Sequence, residues 1–313
     1  MPTIAIAGEA LIDLVPHGPG ALAALSPRPG GGPYNTAVAL GRLGSPAAFL
    51  SRISEDPYGE ALLDGLRQAG VDTALVQRGP QPTTLAATTI ADDGSARYTF
   101  YVEGTADRLF GSPGPLPADI AAVAFGTCSL VLEPGAGAYE KVLRAAHADG
   151  LLTALDPNIR PPLIDDHDAY RARFTSWLPD VALLKLSTED AGWLAGTDDP
   201  AAVLDACRGH LDAGPRAVLL TDGPRGLTAL TRAHGTVHVP SDLSRGVADT
   251  IGAGDTVNAA VLHWLAGHDA LGPDALDRLT ADQWHAALGY AARAAAITCS
   301  RPGADPPWAR ELA

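Results

Sequence analysis

The sequence predicts an α/β protein: a mainly parallel sheet with helices packed on it, plus a small β lid. Three observations predict it. From about residue 120 to the end, short apolar runs of strand length alternate with helix-like segments, a rhythm that implies parallel strands joined by right-handed crossovers. Polar, glycine-rich sequence recurs directly after these runs, at the edge where open α/β sheets bind ligands. Between 83 and 102 the rhythm breaks into alternating β-branched and aromatic residues around Asp93-Gly94, a hairpin signal that assigns this stretch to the lid.

The elements follow in order. Residues 3–7 read as a buried first strand, ending at Gly8-Glu9-Ala10-Leu11-Ile12-Asp13. Asp13 stands just past an apolar run, where a ligand contact and a solvated strand-end acid are both open readings. Residues 16–28, rich in Pro and Gly, are loop or short edge strands. Gly30-Gly31-Gly32-Pro33-Tyr34-Asn35 precedes a helix with small residues on one face, over 36–44. The glycines let backbone approach a small polar ligand. Asn35, at the helix start, either caps the helix or binds a hydroxyl. A strand over 47–53 and a helix from Asp56 through Gln68, ended by Gly70, come next. The lid takes about 12–30 and 82–104. Further strands are expected over 121–125, 151–155, 181–184 and 217–221. Helices are expected over 138–148 and 167–178, a hairpin over 227–239, and a last helix over 284–298. The whole chain, 1–313, reads as one large domain with a small appendage.

One stretch organises the chemistry: Asp249-Thr250-Ile251-Gly252-Ala253-Gly254-Asp255-Thr256. Gly252, Ala253 and Gly254 allow a tight backbone whose amides converge at a helix start, which is a site for a phosphate-like anion. A carboxylate beside such a site is repelled by the anion but is well placed to take a proton from a hydroxyl. Asp255 therefore reads as the base of a phosphoryl transfer onto an alcohol. The competing reading is an acid that merely complements the helix dipole.

Bulk properties narrow the classes. A net charge of −14 argues against nucleic acid or an anionic membrane as partner. Lysine occurs only at Lys141 and Lys185, so an anion must be held mostly by amides, Arg and a metal. Cys128, Cys207 and Cys299 form no CxxC pair, which points away from a disulfide framework and towards a reducing cytoplasm. The N-terminus has no basic region and reads as a strand, and no apolar run approaches a membrane span. GxxxxGK[ST], GxGxxG after the first strand, GxSxG and HExxH are all missing. His234 and His238 flank a hairpin turn, a poor setting for a shared metal.

Taken together, these pieces resemble the ribokinase-like PfkB family of sugar kinases, whose C-terminal signature Asp249 to Asp255 matches closely. The segments Glu9-Ala10-Leu11-Ile12-Asp13, Gly31-Gly32-Pro33-Tyr34-Asn35, Asp156-Pro157-Asn158-Ile159-Arg160-Pro161 and Lys185-Leu186-Ser187 look most like the bacterial fructokinases of that family. The resemblance implies a ribokinase-like three-layer α/β/α sandwich and an ATP-dependent kinase for a sugar hydroxymethyl, D-fructose foremost. It implies that Asp13, Gly31, Gly32, Asn35, Glu133 and Arg160 bind the sugar. Asp255 would be the base and the Gly252, Ala253 and Gly254 amides the anion hole. Lys185, Ser187, Thr221, Gly223, Gly226, Gly303 and Ala304 would serve the nucleotide. Mg²⁺ would arrive with ATP, mostly water-bound. Where relatives carry NxxE, this chain has Ser187-Thr188-Glu189-Asp190, so Asp190 would order the metal's waters. Asp249, Ile251, Arg301 and Gly303 match a loop that holds K⁺ in relatives. A homodimer through the lid is expected. Open alternatives are a kinase for 2-keto-3-deoxygluconate or ribose, a nucleoside kinase whose lid aromatics stack a base, and a scaffold without catalysis.

Overall fold

In the computed structural model, residues 1–18, 20, 22–90, 96–272 and 274–313 are described. The elements run β1 (Thr3–Ala7), β2 (Leu11–Pro16), β3 (Leu25–Gly30), α1 (Gly32–Arg42), β4 (Ala47–Ser54), α2 (Pro57–Gln68), β5 (Val71–Asp72) and β6 (Val76–Gly79). The lid pair β7 (Leu85–Ile90) and β8 (Ala96–Tyr101) comes next. Then follow β9 (Ile120–Gly126), α3 (Gly135–Ala148), β10 (Leu152–Asp156), α4 (His167–Trp177), β11 (Leu183–Ser187), α5 (Thr188–Ala195) and α6 (Pro200–Ala213). Last come β12 (Ala217–Thr221), β13 (Leu227–Thr231), β14 (Gly235–Val239), α7 (Ala253–Gly267), α8 (Ala275–Arg278) and α9 (Ala281–Cys299).

The main sheet has the order β14-β13-β12-β11-β10-β9-β1-β4-β5, with β6 also paired to β4. Its pairs are parallel except β12 with β13 and β13 with β14. Both faces are covered, which explains why its strands read as continuous apolar runs. Ile4 and Ile6 of β1 enter one core, shared with α1, α2, α7 and α9. Ala5 and Ala7 enter the other, shared with α3, α4 and α6. Trp284 anchors the first core and Trp177 the second.

Helix α7 is buried on all sides, Asp255 to Leu262 among them, as expected of a helix apolar all round. It lies between α1 and α9. The residue at its entrance is therefore held by rigid neighbours.

The second, separate sheet has the order β3-β2-β7-β8. Asp13 pairs in register with Ala86, and Ala86 with Phe100, so these three share one face. The Asp93-Gly94 turn lies outside the described residues. Among the described residues no helix is long and apolar enough to cross a membrane, and the three cysteines are free.

Two boundary differences bear on function. Helix α1 starts at Gly32, not after Asn35, so Asn35 is inside the first turn and caps nothing. Helix α7 starts at Ala253, so Asp255 is its third residue rather than the residue before it.

Candidate active site

The carboxyl ends of β1, β9, β10, β11 and β12 open into a cleft of ≈ 860 Å³, roofed by the lid residues Asp13, Val15, Thr88, Tyr98 and Phe100. The strand order reverses at β1, which has β4 on one side and β9 on the other. Open sheets place ligands at such a switch point.

Asp255 forms the floor. Its Oδ2 accepts a hydrogen bond of 2.9 Å from Asn35 Nδ2, and only 8% of the residue is exposed. Burial pushes its pKa from 3.8 up to about 7; Asp156 adds to the rise, while Asn35, Lys185 and Arg160 oppose it. An acid with a pKa near neutrality is matched to proton transfer. Gly32 keeps the space beside it open. A Cβ there would lie 2.7 Å from Thr127 Oγ1, 3.3 Å from Asn158 Nδ2 and 3.3 Å from Asp255 Oδ1.

Next to this acid is a nest of free donors. Gly252 is the residue before α7 and adopts φ 75°, a left-handed conformation suited to glycine. A Cβ on it would strike Ala304 Cβ at 2.6 Å. Among the described residues, the amides of Gly252, Gly254 and Asp255 donate to no group in the chain. Ala253 differs from the expectation: its amide closes a turn on the Thr250 carbonyl at 3.2 Å and is not free for an anion.

Lys185, at 4% exposure, makes an ion pair of 2.7 Å with Asp156 Oδ2. Burial alone would lower the lysine's pKa, but Asp156, with Asp190 and Asp255 nearby, holds it above the ordinary value. Asp13 is half-buried; burial lifts its pKa to about 6 against the pull of Arg160. The Arg160 guanidinium is pinned by Nη1 to Asn158 Oδ1 at 2.7 Å. Asn158 itself holds φ 38°, a strained position typical of functional sites.

Most of the expected residues converge on this cleft: Asp13, Gly31, Gly32, Asn35, Arg160, Lys185, Ser187, Asp190, Thr221, Gly223, Ile251 and the 252–255 turn line it. Others do not. Glu133 is more than half exposed, bonds Arg173 and the Gly137 amide, and does not line the cleft. Gly226, at φ 113°, turns the chain into β13, and a Cβ there would lie 2.2 Å from the Val239 carbonyl. Gly303 and Ala304 stand behind the Gly252 turn rather than in the cleft wall.

Asp190 lines the cleft but has other work. Its Oδ2 accepts from Ser187 Oγ at 2.7 Å and the Ser187 amide at 3.1 Å, and its Oδ1 accepts from the Ile159 amide at 2.7 Å. It closes a capping box on α5. Asp249 bonds the Ile251 amide at 3.0 Å and the Gly303 amide at 2.8 Å, so three of the four residues expected at a monovalent cation meet, while the Arg301 guanidinium bonds Asp305 and Glu311. One contact was missed. Glu9 is buried against the cleft, accepts from the Ser129 amide at 3.2 Å, and has its pKa raised by burial and by Asp107. Its place directly after a buried strand was the available signal.

The pattern describing pfkB family carbohydrate kinases matches residues 1–310. The chain belongs to that family. It is therefore a carbohydrate kinase, a phosphotransferase with an alcohol group as acceptor. A fructokinase of Rhizobium leguminosarum bv. trifolii is 38% identical over 260 residues, 82% of this chain and 77% of that protein. A fructokinase of Klebsiella pneumoniae is 33% identical over 280 residues, 88% of each chain. The crystal structure of a fructokinase from Xylella fastidiosa with bound ATP superposes with a TM-score of 0.86 at 28% identity, covering 99% of this chain and 97% of that one.

The burial of Asp255 has a thermodynamic signature. A folded-state pKa of about 7 against 3.8 means that ionisation opposes folding. Stability from the protonated form is complete below about pH 4, falls as pH rises to 7, and stays lost above. At about 1.4 kcal/mol per pH unit the loss is about 4 kcal/mol. Asp255→Asn is expected to unfold at higher urea than the parent at pH 8, with the gain shrinking towards pH 4.5. Equal midpoints at both pH values would contradict the buried-acid assignment.

Proposed function

We propose that this chain transfers the γ-phosphoryl of ATP to the hydroxymethyl of D-fructose, giving fructose 6-phosphate. The observation that carries the reading is the pairing of one buried acid, Asp255, with the free amides of Gly252, Gly254 and Asp255. Phosphoryl transfer needs alignment and charge stabilisation more than covalent help. Asp255 takes the hydroxyl proton, and the amides face the charge that develops on the phosphoryl. Asp13, Asn35 and the backbone at Gly31 and Gly32 orient the sugar. The fructokinases among its relatives support fructose as acceptor. The Asp13 carboxylate offsets Arg160 and the Asp156 carboxylate offsets Lys185, which favours a neutral sugar over an acidic one.

Ser187, Thr221 and Gly223 form the nucleotide side of the cleft, with Ala292, Ala296 and Cys299 of α9 as an apolar wall. Among the described residues no group of three His, Cys, Asp or Glu could cage a metal. That fits a Mg²⁺ carried in on the triphosphate with its waters, whose charge would lower the barrier to transfer. Asp190, which lines the cleft, would be the carboxylate nearest to hand for such waters. The Asp249-linked turns supply carbonyls for K⁺, which would hold the anion-hole turn from behind.

We also propose a homodimer through the lid. Tyr101, more than half exposed, and the outer strands β3 and β8 are the surface it would use. Light scattering is expected to give twice the chain mass, and a monomer at micromolar concentration would refute this.

Wild-type protein is expected to release ADP with fructose, at rates well above those with ribose, 2-keto-3-deoxygluconate or adenosine. Its kcat/KM for fructose is expected to fall below about pH 7 as Asp255 protonates, with Asp13 adding to the loss near pH 6. Asp255→Asn is expected to lower kcat by ~10²-fold or more. A folded variant with near-parental turnover would refute the base.

A further inference from the structure

We propose that Thr127 is a further sugar-binding residue, that its hydroxyl oxygen accepts a hydrogen bond from the 4-hydroxyl of fructofuranose, and that Glu9 is the positioning residue that turns it there. The inference rests on the fructose reading above. Three non-glycine residues among those described have positive φ: Thr127 at 59°, Asn158 at 38° and Asp269 at 52°. Asn and Asp tolerate that region, whereas a β-branched residue there is an outlier. Glycine would take it without strain. A threonine held in such a conformation points to a use for its side chain.

The side chain has a place to act. Thr127 directly follows β9, is buried, and lines the cleft. The open position beside Gly32 that lies 3.3 Å from Asp255 Oδ1 lies 2.7 Å from Thr127 Oγ1. The hydroxyl and the base thus border the same point. Behind the hydroxyl, Glu9 is 1% exposed and accepts from the Ser129 amide at 3.2 Å. Burial lifts the Glu9 pKa most, and the Thr127 and Ser129 side chains pull it down, which puts the Thr127 hydroxyl beside that carboxyl group. A hydroxyl has one proton and two lone pairs. With the proton turned to Glu9, the lone pairs face the cleft.

The chemistry of the sugar says which group they meet. Cyclic fructose that offers a free 6-hydroxyl for phosphoryl transfer has closed its ring through O5. The nearest free hydroxyl along the carbon chain is then the one on carbon 4. An acceptor that borders the same opening as the base meets that hydroxyl, while Asp13, in the lid roof, is left for hydroxyls farther from the base.

Steady-state kinetics with fructose, 3-deoxyfructose and 4-deoxyfructose test this. Wild-type protein is expected to show a kcat/KM about tenfold lower for the 4-deoxy sugar than for fructose, because a site built to bond a hydroxyl rejects the analogue without it. Thr127→Gly removes the hydroxyl and the backbone strain together. It is expected to melt no lower than the parent. Its fructose KM is expected to rise about tenfold, with the ATP KM changed less than about twofold, and it should treat fructose and 4-deoxyfructose alike. Thr127→Ser keeps the hydroxyl and is expected to recover most of the discrimination. Glu9→Leu is expected to lose it, and Glu9→Gln, which still offers an acceptor, to recover it. A folded Thr127→Gly variant with the parental fructose KM overturns the proposal, as does a 4-deoxy penalty that persists in that variant. A wild-type penalty that falls on the 3-deoxy sugar instead overturns the assignment of the 4-hydroxyl. Wild-type protein that releases ADP with none of the three sugars overturns the fructose reading itself.

Discussion

One hydrogen bond, from Asn35 Nδ2 to Asp255 Oδ2, joins the first turns of α1 and α7, and the site depends on it. The two helices arrive from distant parts of the chain. Helix α1 follows the lid strands, and α7 follows the β13–β14 hairpin and the loop beyond it. Their entrances bring two glycine clusters face to face: Gly31 and Gly32 under the lid, Gly252 and Gly254 under the nucleotide side. The bond fixes which Asp255 oxygen is occupied and where the other points. It also explains why α7 is packed on all sides by apolar residues. The base role proposed for Asp255 calls for such a stiff mount.

Two aspartates show how context decides use. Asp190 and Asp255 are each the third residue of a helix. Asp190 turns back on Ser187, whose hydroxyl and amide give it partners, and the result is an ordinary capping box. Asp255 has Gly252 at the corresponding position, with no side chain to offer and a left-handed backbone. It makes no cap and reaches across to Asn35. The fold thus retains a buried acid at a cost in stability, and the same burial raises its pKa to about 7.

Much of this was legible in the sequence. The β1 strand and the hairpin at β13–β14 follow from period and turn residues. The Asp255, Asn35, Asp13 and Arg160 convergence followed from the resemblance to sugar kinases. What was not legible depended on contacts far apart in the chain. Glu133 lies in a plausible segment, yet Arg173 of α4 draws it outward. Asn35 looked like a cap because its neighbours set only a local preference, and the partner that claims it is 220 residues away. Gly226 is needed for close backbone packing at the start of β13, Ala304 packs against Gly252, and Gly303 supplies a left-handed turn at φ 73°; a motif cannot separate those needs from ligand contact. The short strands β5 and β6 carry too few residues to show a period.

The most direct measurement is a crystal structure of the protein with fructose and a non-hydrolysable ATP analogue. The account predicts the fructose hydroxymethyl oxygen within hydrogen-bond reach of the Asp255 carboxylate, with terminal phosphoryl oxygens on the Gly252, Gly254 and Asp255 amides. A complex in which another group meets that hydroxyl, or in which the phosphoryl lies away from the start of α7, would contradict it.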